Sequence, residues 1–160
     1  MSFLRKLFLK KQSGMSEEAF WNIVEMLDWD RTGDDDAVIE PAVDALAQMS
    51  VKEILQFEDI LAEKLYARET GESAYRGPNQ HFSTDWFLYE RCCVVANGHW
   101  FYDSVLSNPK KMPKDLEFEA ILMVARLAYQ RRTGEEFDYQ PKVSYETFSN
   151  KAGWSQEDAA

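Results

Sequence analysis

The sequence predicts an all-α protein, a single-domain bundle of about six helices with an aromatic C-terminal tail packed across it. Three observations lead there. Apolar residues recur at the 3.6-residue period in one segment after another. Capping residues and glycines fall between those segments, where helices start and stop. Alternating strand patterns with hairpin turns are missing. The 160 residues, 45% hydrophobic and 14% aromatic, are enough for one domain with a packed core.

The leader, residues 1–14, places Phe3, Leu4, Leu7 and Phe8 at helical spacing, with Arg5, Lys6, Lys10 and Lys11 as their charged complement. That is the pattern of a short interfacial helix, and Ser13-Gly14 reads as a joint. Ser16 then caps a first domain helix, with Glu17 and Glu18 in its first turn and Phe20, Ile23, Val24 and Leu27 on its apolar face. The acidic loop Asp28 to Asp36 has the oxygen density of a calcium site but not the ligand order of one. Aspartates at the next helix's N-terminus account for it, and no metal is expected. Val38, Ile39, Ala42, Val43, Leu46 and Met49 carry that second helix, with Pro41 either opening or kinking it.

Ser50 and Glu53 form a capping box. Behind it Ile54, Phe57, Leu61 and Leu65 predict a third helix running to about Arg68. Gly71 follows its end. Residues 72–82 are irregular, the stretch that loop logic marks for recognition, and hold Tyr75, Arg76 and His81.

The stretch 83–109 reads as two helices in one hairpin. Ser83 caps the first, Gly98 ends it in a left-handed conformation, and Asn108-Pro109 stops the second. A sixth helix is predicted from near Asp115, with Phe118, Ile121, Leu122, Ala125 and Tyr129 buried and Thr133-Gly134 at its end. Beyond it Phe137, Tyr139, Tyr145, Phe148 and Trp154 read as anchors of a tail that wraps the bundle and frays over its last residues.

The net charge is −10, and the leader contributes +4, so removing its four bases from eighteen leaves 14 basic against 28 acidic residues in the rest. An acidic body is a poor partner for a phosphate backbone and a good one for a basic protein. The cysteines, Cys92 and Cys93, are adjacent in a predicted helix, where a bridge would be strained; they read as buried, reduced thiols of a cytoplasmic protein. No apolar run is long enough to span a bilayer.

No spacing reaches the standard of a catalytic or metal motif, and nothing calls for a cofactor. The histidines, His81 and His99, have no ligand partner at a motif spacing. His99 sits most simply at a helix junction. Asp85, Tyr89 and Arg91 offer a polar constellation, although Arg91 points off the face the other two share, and the bland reading pairs it with a glutamate of another helix. Trp86 and Trp100 are candidate contact residues, because tryptophan is enriched at interface hot spots.

The runs Ser83-Thr84-Asp85-Trp86-Phe87-Leu88-Tyr89-Glu90-Arg91, Asn97-Gly98-His99-Trp100-Phe101-Tyr102 and Leu106-Ser107-Asn108-Pro109 resemble the pattern of the bacterial DUF4240 family. Phe20-Trp21, Phe57 with Leu61, and Ala128-Tyr129 before Thr133-Gly134 extend the likeness. Thr84 and Trp86 depart from it, where an acid and a small residue are expected. The family has no assigned function, so the resemblance implies a helical domain, 15–138, with 139–160 as a tail, and carries over no catalytic residue.

The expected function is a non-catalytic protein-binding module, an immunity or antitoxin-like protein being one such, that engages a basic protein partner through its acidic surface. Its candidate residues are Tyr75, Arg76, His81, Asp85, Trp86, Tyr89, Arg91 and Trp100. One alternative is an enzyme or small-ligand binder with a pocket under the 72–82 loop. The other is a peripheral membrane protein tethered by residues 1–11, with weak contact to the membrane surface.

Overall fold

A computed structural model describes residues 14–67, 84–147 and 149–150. The leader helix, Arg68, Gly71, the Ser83 cap, Phe148, Trp154 and the frayed end therefore lie outside the described residues. Those described form six α-helices and no strand. In order they are α1 (Glu17–Val24), α2 (Asp35–Ala47), α3 (Val51–Ala67), α4 (Thr84–Ala96), α5 (His99–Ser107) and α6 (Val124–Thr133).

The caps set the helix starts. Ser16 accepts from the Ala19 N–H at 3.0 Å to begin α1. Asp34 does the same for α2, taking the Ala37 N–H at 3.1 Å, with Asp35 and Asp36 in the first turn against the positive end of the helix. Pro41 is the seventh residue of α2 and exposed, so it does not open the helix. At α3 the capping box is complete: the Glu53 N–H donates to the Ser50 hydroxyl at 3.2 Å, and the Ser50 N–H donates back to the Glu53 carboxylate at 2.9 Å.

Gly98 joins α4 to α5 with φ +92°, a conformation that favours glycine, and Asn108 ends α5 in an extended conformation before Pro109. Gly134 closes α6 with φ +74°.

The sixth helix begins later than the sequence predicts. Asp115 adopts φ +65°, its N–H donates to the Glu90 carboxylate at 2.9 Å, and the Phe118 N–H donates to the Tyr89 carbonyl at 3.2 Å. These bonds tie residues 115–118 to α4 instead of to a helical turn of their own. A 3₁₀ turn, Glu119–Met123, then leads into α6.

The core lies among α2, α3, α4 and α6, with α1 across α2 and α3. Helix α4 is enclosed: from 87 to 96 every residue except Tyr89 is buried. It therefore lacks the one-sided apolar stripe of a surface helix. Cys92 and Cys93 belong to this core as free thiols. Burial pushes both thiols up from their ordinary value, which keeps them protonated and unreactive. Helix α5, by contrast, fully buries only Tyr102 and Val105, with Phe101 half-buried against the core.

After α6 the chain crosses back over α3 and α4. Phe137 is buried beside Tyr129, with ring centres 5.4 Å apart. Farther along, the Asn150 amide donates to the Tyr66 carbonyl at 3.0 Å. Among the described residues no helix is long and apolar enough to cross a membrane.

Candidate partner-binding site

Tyr75, Arg76 and His81, with the rest of the 72–82 loop, lie outside the described residues. The other five candidates are placed, and the structure does not gather them into one cleft. Asp85 is exposed in the first turn of α4. Tyr89 is one turn on and half-buried, its phenol held above the ordinary range first by desolvation and then by the charge of Asp85. Trp86 is 36% exposed, and its indole N–H donates to the Glu90 carboxylate at 2.9 Å.

Arg91 has no exposure at all. Its guanidinium donates to the Leu65 carbonyl at 3.0 Å, the Tyr145 carbonyl at 2.9 Å and the Thr147 hydroxyl at 3.1 Å, and it lies 5.0 Å from the centre of the Phe87 ring. It thereby joins the end of α3 to the returning chain. Carbonyls at a helix C-terminus carry partial negative charge, which suits a buried cation.

A second buried polar group was not singled out from the sequence. Glu58 and Asp59 on α3 are both buried under residues 137–147. Asp59 accepts from the Tyr139 hydroxyl and from the Lys142 N–H. Burial pushes the Glu58 carboxyl up to about 7; the positive charge of Arg126 opposes that rise and the Asp59 charge adds to it.

Trp100 is the most exposed large apolar residue described, at 83%. It stands in the first turn of α5, next to His99. The His99 ring stacks on Trp21 of α1 at 4.9 Å and 7°, and its Nε2 lies 3.1 Å from the Asp103 carboxylate. Trp21 also packs against Phe20 and Tyr102, which seats the stack on the core.

Between α1 and α5 is a depression of about 350 Å³ lined by Glu17, Glu18, Trp21, Asn22, Glu25 and His99. Glu18, Asn22 and Glu25 share one exposed face of α1 because they follow at i, i+4 and i+7. Glu17 is occupied: Lys64 donates to it while its ammonium sits 5.7 Å from the Trp21 ring centre and 5.5 Å from that of Tyr102. That hydrogen bond holds the Glu17 carboxyl below the usual range.

The arrangement offers an exposed indole, a fixed aromatic floor and carboxylates with no lysine or arginine among the lining residues. It suits recognition of a cation. Among the described residues no group of three or more His, Cys, Asp or Glu side chains is placed to hold a metal ion. The sequence sets His99 at a junction but carries no sign of its partnership with Trp21, which arises from tertiary packing between residues 78 positions apart.

The family model described as "Protein of unknown function (DUF4240)" matches residues 15–131. No curated protein and no solved structure matches the chain.

Proposed function

The chain belongs to the DUF4240 family, and we propose that it works without catalysis, as a module that binds a basic protein partner through the acidic α1–α5 face. An immunity or antitoxin-like protein, acting by occlusion in the bacterial cytoplasm, is the form of this reading that best fits an acidic body with buried free thiols.

The observation that carries the proposal is the exposure of Trp100. Leaving a large indole in water forgoes the stabilisation its burial brings, and such residues dominate affinity when a partner covers them. Glu18 and Glu25 line the depression between α1 and α5, and Asp103 lies on α5 one turn beyond His99. Their charge favours encounter with a basic surface and disfavours an acidic one.

The test is affinity capture from a lysate of the source organism, with the native chain compared against Trp100→Ala at low salt and at roughly 1 M salt, where surface attraction is screened. A partner retained at low salt, released at high salt and lost with Trp100→Ala is the expected result. Equal retention by both chains, or no salt-sensitive partner, removes the proposal.

A further inference from the structure

We propose, resting on that reading, that the α1–α5 depression is the seat of one arginine side chain supplied by the partner. The carboxylates of Glu18 and Glu25 stand on one wall and the His99 ring on the other, and no lysine or arginine lines the space. The ring is held in place from two sides, by its stack on Trp21 and by Asp103, while its side chain remains 48% exposed. A fixed planar ring beside two carboxylates matches a guanidinium, which is itself planar and both stacks and donates along its edge.

The molecule already pairs a cation with this aromatic group. Lys64 reaches Glu17 while lying near the Trp21 and Tyr102 rings, so the same combination of carboxylate and aromatic face accommodates an amine from within the chain. Glu18 and Glu25 are left for a cation from outside. A metal ion is a poorer occupant, because the described carboxylates and histidine do not converge on one point.

The experiment titrates the full chain with acetyl-arginine amide, acetyl-lysine amide and acetyl-citrulline amide, following the Trp21 indole and His99 ring resonances. Saturable shifts with arginine in the ~millimolar range are expected, weaker ones with lysine and none with citrulline, which keeps the shape and lacks the charge. Glu18→Gln with Glu25→Gln should weaken arginine binding about three- to tenfold, as expected for two exposed ion pairs. Glu136→Gln, which lines a separate depression, should leave it unchanged.

Citrulline matching arginine, or shifts that never saturate, overturns the assignment. So does binding that appears only after Arg5, Lys6, Lys10 and Lys11 are replaced by Gln, because the chain's own leader would then be the occupant. A partner captured through Trp100 but indifferent to Glu18 and Glu25, with no arginine titration, removes this subsite and leaves the docking reading standing.

Discussion

Tyr139 donates its phenolic proton to Asp59, both carboxylate oxygens lying 2.9 Å from the phenol oxygen, across 80 residues of chain. The same carboxylate accepts the Lys142 N–H at 3.0 Å and has the Lys142 ammonium 3.6 Å away. One buried carboxylate thus holds two hydrogen-bond donors of the returning segment, with the Lys142 ammonium as an ion-pair neighbour. Asp59→Asn keeps the shape but loses the charge and turns an amide N–H toward a donor. It should cost about 2 kcal/mol of stability in urea unfolding. Exchange of the Lys142 amide should also rise by roughly tenfold or more, and unchanged exchange there would contradict this account.

Glu58 should make stability fall as pH rises. Its folded-state carboxyl titrates at about 7 against an ordinary 4.5, so between those values the folded protein holds a proton that the unfolded chain has released. The contribution is full below pH 4.5, declines through the window and is gone above about pH 7, with an upper size on the order of 3 kcal/mol. Glu58→Gln cannot titrate. Urea unfolding at pH 5 and pH 8 should therefore show a smaller loss in that variant than in the native chain; equal losses would sink the assignment.

Arg91→Lys should destabilise although the charge is retained. A guanidinium reaches the Leu65 and Tyr145 carbonyls and the Thr147 hydroxyl at once, whereas an ammonium on a shorter, tetrahedral head cannot span them. A cost of about 2 kcal/mol is expected, read from the urea midpoint. A variant within ~0.5 kcal/mol of the native chain would mean that this fork is not holding the two segments.

Gly98→Ala tests the α4–α5 joint. The nearest atom to an added Cβ is the Glu25 Cγ at 4.0 Å, so there is room for the methyl group and the penalty is purely conformational, set by φ +92°. A loss of about 1 kcal/mol or more is expected from thermal or urea unfolding. A neutral or stabilised variant would show that the joint relaxes to a negative φ.

The helices were legible because their signals are local. Ser16, Asp34, Ser50, Gly98 and Gly134 each act within a few residues, and the apolar rows behind them recur at fixed spacing. The start of α6 was not, because bonds from residues 115 and 118 to Glu90 and Tyr89 override the local pattern. Glu58 could have been found: with Ile54, Leu61 and Leu65 it forms an i, i+4, i+7, i+11 row, so it is a charge in a core position. Arg91 follows Phe87 by four and precedes Val94 by three in the same manner. The depression at His99 had no such signal, because its two walls meet only when α1 and α5 pack together.

The enclosure of α4 bears on how such a chain can diverge. Along 87–96 a replacement meets neighbours on almost every side, so a larger side chain strikes something and a smaller one leaves a void, and neighbouring sites must change in concert or not at all. Lineages carrying this domain should hold that rod nearly constant. Innovation, including a change of binding preference, is then left to the outward residues of α1 and α5, where a single change can be tried without disturbing what lies beneath.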